Sequence, residues 1–522
     1  MAGRPRMDER IAAAWKLLPD YLGQHVVLSA CALGLGVIIS LPLALLAARR
    51  PAVRWPVLAI ASLIQTIPGL ALLALFYPLL LAFSALTTAV FGLGLPALGF
   101  LPSLLALTLY SMLPILRNGV AGLTGIDPAV LEAADGVGMT PAQRLWRIEA
   151  PLAAPVVMAG VRTAAVWTIG AATLSTPVGQ TSLGNYIFSG LQTENWVFVL
   201  FGCAAAAVLA LAVDQLLGLV EAGAARRDRR RILIGIVALL VGAAAALAPM
   251  VRAGPVAYVV GAKNFSEQFI LASLIGDRLQ RSGASVQHKD GLGSAIVFRA
   301  LASSDIDVYV DYSGTLWTNV MGRKDSPPRE VMLAQLSRFM LQKYGVTVLG
   351  PLGFENAYAL AMKSDRAAAL GVRSIADLAG RAPELTLGGD LEFLSRPEWA
   401  AIKSAYGLNF RAQKSFNPTF MYRAIDDGEA DVISAFSSDG RIAAEHLSVL
   451  SDPKHSIPGY DAVILISPRR AHDRRLSRAL APLIGRIAVE RMRQANLMVD
   501  RDKDKASPEQ AARWLGKMAG LD

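Results

Sequence analysis

Three stretches of this chain carry no Asp, Glu, Lys or Arg: residues 55–116, 163–193 and 195–213. A folded domain in water rarely leaves so long a run uncharged. A bilayer selects for one, because a charge at its centre costs several kcal/mol. Runs of about twenty apolar residues predict membrane-spanning helices near 26–48, 57–82, 99–116, 153–174, 196–219 and 232–250. The stretch 84–98 is uncharged but rich in Gly, Thr and Pro, and reads as a loop or half-inserted segment. From 255 onward the pattern changes. "VAYVV", "IDVYVDYSGT", "YALAM", "ELTLGG", "ADVISAF" and "DAVILISP" are strand-like, with helical patterns between most of them. That alternation predicts an α/β fold with mostly parallel sheets. Two such lobes enclosing a cleft would form a binding-protein architecture, with "YALAM" and "DAVILISP" as the crossover strands.

The placement of arginines orients the spans. Arg49, Arg50 and Arg54 follow the first, Arg117, Arg144 and Arg147 lie between the third and fourth, and five arginines at 226–231 precede the sixth. The alternate loops, 83–98 and 175–195, hold one charge, Glu194. Positively charged loops stay in the cytoplasm, so the N-terminus is expected outside and the chain emerges outside again at residue 251. The stretch "RRDRRRILIGIVALLVGAAAALA" has the basic, apolar and small-residue parts of a secretory signal, yet it sits in mid-chain. As a sixth span it carries residues 255–522 to the outer side of a bacterial inner membrane, periplasmic or extracellular. Ala246-Leu247-Ala248 is a candidate cleavage site.

Composition agrees with this division. Apolar residues make up 53% of the 522-residue chain, and the mean hydropathy is +0.42. The net charge of +10 does not point to nucleic acid, because the basic residues of the first half cluster at span ends and the second half has no basic stripe. Both cysteines, Cys31 and Cys203, lie in apolar runs, so the exported half folds without disulfides. Cys and His show no metal-ligand spacing, and neither a metal, a cofactor nor a nucleophile–base motif is predicted. The chain is expected not to be an enzyme.

The largest cytoplasmic loop reads "EAADGVGMTPAQRLWRIEAP" over 132–151. Glu132, Ala133, Ala134, Gly138, Ile148 and Pro151 stand at the spacings of the coupling loop of ABC importer permeases, which this loop resembles. Helix formers at 129–135, a turn near 136–140 and a second helix from Pro141 predict a helical hairpin. The resemblance implies docking onto an ATPase subunit. No G-x-x-x-x-G-K-[ST] phosphate loop occurs, so that ATPase is expected on another polypeptide. "QTIPGLALLAL" (65–75) and "YSMLPILRNGVAGL" (110–123) resemble permeases of the osmoprotectant importers for glycine betaine, carnitine and choline. "GAKNFSEQ" (261–268), "VYVDYSGT" (308–315), "FENAYALAM" (354–362), "MYRAIDDGEADV" (421–432) and "FSSDGRI" (436–442) resemble that family's substrate-binding proteins.

The resemblance implies a permease of type I, MetI-like, fused to a type II binding protein, working as a permease homodimer. It divides the chain into an amphipathic segment (1–24), a permease domain with five core spans (25–222), a basic linker with the sixth span (223–254) and a binding domain (255–522). Lobe one of that domain takes 256–358 and 463–522, and lobe two takes 359–462. Trimethylammonium is a cation without an N–H donor, so aromatic faces hold it by cation–π attraction. Tyr312, Tyr358 and Tyr422 stand where the family's cage tyrosines stand. Gln268 and Thr315 are expected to donate to the ligand's other end, with Asn264 beside them. Trp317, Phe436, Asp439 and Arg441 are weaker candidates. Glu355, Val310 and Leu394 depart from the family pattern, and Arg396 adds positive charge. These departures leave open a larger betaine such as ergothioneine, with "EFLSRPEW" (392–399) near that discrimination. A receptor or ligand-gated channel with a similar ectodomain is the alternative of another class.

Overall fold

Charge-free sequence folds here as long helices, because backbone in lipid must satisfy its hydrogen bonds internally. The computed structural model describes residues 7–91, 95, 97–193, 195–252, 257–323, 325–454, 456–501 and 504–521. Glu194, residues 1–6 of the expected N-terminal segment and residues 253–256 around the expected 254/255 boundary lie outside the described residues. Two compact units divide the chain: Ile11–Phe188 with Phe198–Gly254 form one, and Pro255–Asp522 supplies the bulk of the other.

The helices of the first half are α1 (Met7–Arg49), α2 (Pro51–Thr66), α3 (Gly69–Phe91), α4 (Phe100–Thr124), α5 (Pro128–Gly136), α6 (Pro141–Arg144), α7 (Ala150–Ala172), α8 (Gly184–Gln192), α9 (Trp196–Arg226) and α10 (Arg229–Arg252). Among the described residues, six helical stretches are long and apolar enough to cross a membrane: Arg10–Arg49, Gly69–Phe91, Phe100–Thr124, Pro141–Val178, Trp196–Arg226 and Arg229–Pro249. Large apolar side chains such as Ile38, Leu79, Leu200 and Leu240 point outward from them.

The second predicted span needs correction. Residues 57–82 are not one helix, because the chain breaks at Ile67-Pro68 between α2 and α3. Ile67 is extended (φ −71°, ψ 126°), as steric conflict with a following proline requires. Its freed carbonyl accepts from the Tyr110 hydroxyl of α4. With 16 residues α2 is too short to span, and α3 takes that role. The reading of 84–98 as a loop is also corrected, since α3 continues through Phe91. Gly and Pro enter only at Gly92, Gly94 and Pro96, after eight residues that offer the helix no breaker.

The centre of this half is α4 packed on α7. A Cβ added to Gly160 would lie 2.7 Å from Cβ of Asn118 and 2.8 Å from the Pro114 carbonyl oxygen, so only glycine permits the approach. The buried His25 pins α1 to this pair: its Nδ1 accepts from the Leu183 amide at 3.3 Å, which leaves Nε2 to donate to the Ile169 carbonyl at 3.1 Å. Arg162 of α7 forks onto Asp214 of α9 at 2.5 and 2.7 Å.

The second half contains two five-stranded sheets. The first has the order β2-β1-β3-β10-β4, from Val286–Leu292, Tyr258–Lys263, Val308–Tyr312, Asp461–Ile466 and Thr347–Glu355. The second has the order β7-β6-β8-β5-β9, from Ala412–Ser415, Thr386–Gly389, Val432–Phe436, Tyr358–Lys363 and Leu447–Val449. The pairings are not mostly parallel. In each sheet β1 or β6 pairs in parallel with both neighbours, whereas β10 and β5 pair antiparallel with both of theirs. β5 and β10 begin where the chain crosses between lobes, so each enters its sheet from the end opposite to the βα units. Helix α11 (Ser266–Arg281) lies buried on the first sheet, covered by helices Val489–Asp500 and Pro508–Met518.

Candidate functional site

β1 ends at Lys263 and α11 begins at Ser266, so the turn Asn264-Phe265 projects from the carboxyl end of a parallel strand. Ligands of open α/β sheets collect at such ends. Here the turn forms one side of a cavity of about 570 Å³. Tyr312 at the end of β3, Thr315 beyond it, and the crossover residues Asn356, Tyr358 and Tyr460 join it. The second lobe supplies Phe436 at the end of β8, Phe416 just past β7 and, beyond β6, Asp390, Leu391, Glu392, Ser395 and Arg396.

The aromatic side chains form a wall. Phe265 stacks on Tyr312 with centroids 6.2 Å apart and on Phe436 at 6.1 Å with planes 3° apart. Tyr358 follows at 5.0 Å from Phe436 and 5.8 Å from Tyr460, edge-on to the latter. Such faces present negative quadrupole to a cation. The protein's own cations already approach the wall. Nζ of the buried Lys263 lies 5.1 Å from the Tyr312 ring and is paired with Asp311, and Cζ of Arg396 lies 5.2 Å from the Tyr358 ring.

Tyr312 is held by a buried carboxylate. Its hydroxyl donates to Oε1 of Glu267 at 2.6 Å and accepts from Nε2 of Gln268 at 2.9 Å. Glu267 also accepts from Asn356 at 2.9 Å, Ser438 at 2.5 Å and Asn496 at 2.8 Å. One carboxylate thus gathers α11, β3, the first crossover, the turn after β8 and the helix Val489–Asp500. Burial raises the Glu267 carboxyl above its ordinary range, and these donors oppose the rise. Burial also pushes the Tyr312 phenol well up, so it stays a donor.

The polar end centres on Arg396, which is buried between Glu392 at 2.7 Å and Glu398 at 3.1 Å, with Thr315 Oγ1 at 3.4 Å. Glu398 also accepts from the Tyr460 hydroxyl and from Thr318.

Of the expected ligand residues, Tyr312, Tyr358, Thr315 and Asn264 line this cavity, whereas Gln268 and Tyr422 do not. Gln268 is buried behind Tyr312 and orients its hydroxyl. Tyr422 faces inward from helix Pro418–Asp426 into the second lobe's core. Its ring is already covered by Arg441, with Cζ at 4.0 Å, and Arg441 is paired with Asp439 at 2.8 Å. A helix exposes one face, and the phase of this one turns Tyr422 away. Trp317 is buried, its indole N–H donating to the Asp325 carbonyl. Glu355, Val310 and Leu394 lie off the cavity. Residues not singled out in the sequence are Phe265, Tyr460, Phe416, Asn356 and Asp390. Phe265 sits inside the quoted "GAKNFSEQ" motif, so a signal for it existed.

The loop after α4 is a second candidate. Asp127 caps α5 by accepting from the Ala129 amide at 2.9 Å, and Thr140 and Gln143 form a capping box on α6. Between them Gly138 takes φ +78°, which glycine tolerates best. Arg144 ties the two arms together, reaching Asp135 at 2.7 Å and the buried Glu149 at 2.8 Å. Arg49 at the end of α1 reaches Glu149 at 3.4 Å. Ala134 is buried, Ile148 half-buried, and Glu132, Ala133, Gly138 and Pro151 exposed. Val137 and Trp146 project apolar surface, each 74% exposed.

Comparison with known proteins matches both halves. Residues 257–517 match the family described as the substrate binding domain of the ABC-type glycine betaine transport system. Residues 40–226 match the binding-protein-dependent transport system inner membrane component. The ergothioneine transport permease/ergothioneine binding protein of Helicobacter pylori (strain G27) is 28% identical over 425 residues, covering 78% of this chain and 74% of that protein. The choline transport system permease protein of Bacillus subtilis (strain 168) is 38% identical over 198 residues, 38% of this chain and 84% of that protein. A crystal structure of a glycine betaine/carnitine/choline ABC transporter is 25% identical, with a TM-score of 0.44, covering 51% of this chain and 99% of that one.

Proposed function

Because this chain belongs to the ABC-type glycine betaine transport systems, with the inner membrane component and the substrate-binding domain on one polypeptide, we propose that it captures a quaternary-ammonium solute outside the cell and passes it through its own spans. The observation that carries this reading is the aromatic wall of Phe265, Tyr312, Phe436 and Tyr358 around one cavity. A cation without donors binds by aromatic faces and apolar contact, and Tyr312, Tyr358, Thr315 and Asn264 are the residues assigned to it. Gln268 acts through Tyr312.

Energy comes from a separate ATPase subunit that docks on the loop Glu132–Pro151. The exposed Val137 and Trp146 and the Arg144 bridges make that loop a stiff knob with an apolar tip. Two copies of the chain form the pathway. Residues 255–522 are periplasmic or extracellular, in keeping with the alternation of arginine-rich and charge-poor loops.

A second reading narrows the solute to a betaine bearing a ring. It is favoured by the relative from Helicobacter pylori, whose similarity extends over 78% of this chain, beyond the length of either half alone. Uptake by a transporter-null bacterium supplied with the chain and its ATPase tests the function. Accumulation of labelled glycine betaine, choline, carnitine or ergothioneine that depends on both subunits is expected. Accumulation of none would overturn the proposal.

A further inference from the structure

The cavity carries more hydrogen-bonding capacity than a simple trimethylammonium carboxylate can use. Asp390 caps the helix Leu391–Ser395: its Oδ1 accepts from the Phe393 amide at 2.9 Å. The residue lines the cavity and is only 4% exposed, and its Oδ2 is buried without a hydrogen-bond partner among the described residues. Asn356, 5% exposed, repeats the situation. Its amide nitrogen is committed to Glu267 at 2.9 Å, which sets the orientation of the group, and its Oδ1 is left buried and without a partner among the described residues. Across the same cavity Arg396 holds a buried Nε–H with no acceptor among the described residues. Buried polar groups without partners are uncommon, and each carries a desolvation cost that a complementary group relieves.

The three groups differ in what they ask for. The Arg396 N–H suits a ligand carboxylate. Asp390 Oδ2 and Asn356 Oδ1 are acceptors and suit an N–H or O–H. A trimethylammonium head offers neither, and glycine betaine has no hydrogen-bond donor anywhere. Resting on the reading above, we propose that the preferred solute is a zwitterionic betaine that also carries a hydrogen-bond donor, a hydroxyl or a ring N–H, and that Asp390 Oδ2 accepts it. Burial raises the Asp390 carboxyl above its ordinary range, against the backbone amides of Phe393 and Glu392 and the charge of Arg396, and a donor from the ligand would favour the ionised form. A site that hydrogen-bonds a substrate N–H or O–H rejects analogues lacking it far more strongly than an apolar pocket rejects a missing methylene.

Titration calorimetry on the full chain in nanodiscs tests this with three ligands: glycine betaine (no donor), carnitine (a hydroxyl) and ergothioneine (a ring N–H). In the wild type, at least one donor-bearing betaine should bind tenfold or more tighter than glycine betaine. In Asp390→Asn the ratio of that affinity to the glycine betaine affinity should fall at least tenfold. Asn caps a helix as well as Asp does, and Asp390→Ser, a second capping residue, guards against a folding artefact. Equal affinities in the wild type, or variants that weaken every ligand by the same factor, would overturn this inference and leave the quaternary-ammonium reading standing. Failure of all three to bind would overturn both.

Discussion

At the residue scale, Glu267 ties the site together. Buried carboxylates are costly unless hydrogen bonds compensate them, and here four donors from four segments do so. Its value to the site is indirect. It fixes the Tyr312 ring at the cavity wall and ties that ring to the crossover at Asn356. Glu267→Gln sets an N–H₂ against one of those donors, so a loss of about 1–3 kcal/mol of stability is expected. Affinity should fall as well. Melting curves of the full chain with and without ligand check this: an unchanged melting temperature together with unchanged ligand stabilisation would contradict the assigned role. Sequence made Tyr312 and Tyr358 legible because each stands at a strand end inside a recognisable motif. It misled about Tyr422, because the phase of a nine-residue helix decides which way a side chain points.

At the element scale, strands were legible where their cores are dry. β1, β3, β5, β6, β8 and β10 appear in the sequence as apolar runs and are buried along nearly their whole length. β2, "VQHKDGL", and β7, "AQKS", are edge strands with polar, half-buried or exposed residues, so no apolar pattern announces them. In the membrane half the break at Ile67-Pro68 follows from a proline visible in sequence, but its tolerance depends on the Tyr110 hydroxyl. The Glu132–Pro151 hairpin depends on Arg144 in the same way. Arg144→Ala removes both bridges and leaves the buried Glu149 with Arg49, at 3.4 Å, as its one ion pair among the described residues. ATPase copurification and uptake should fall at least tenfold while calorimetric ligand affinity is retained. A matching loss of affinity would show that the loop is not specifically a docking element.

At the scale of the whole molecule, α10 decides whether capture and transport stay on one polypeptide. The helix continues through Ala246-Leu247-Ala248 to Arg252, so the candidate cleavage site is wound into helix and not extended. A tether of this kind raises the effective concentration of the binding half at the permease, to the millimolar range for a short linker. A blot of membranes and supernatant should give one membrane-bound band at 55.4 kDa, and a soluble fragment of about half that mass would show release instead.

What the sequence determined by itself is whatever a single segment expresses through its own contact with solvent. Charge-free runs mark the spans, arginine clusters mark the loops between them, dry strands mark the two sheets, and a spaced loop marks the family. What only the tertiary structure decided is whatever needs two or more segments to meet. The wall of Phe265, Tyr312, Phe436 and Tyr358, the four-donor seat of Glu267 and the unpartnered Oδ2 of Asp390 all arise from residues distant in sequence. Hydrogen bonding and ring stacking act over a few ångströms, and no pattern along one chain reports which side chains the fold brings that close.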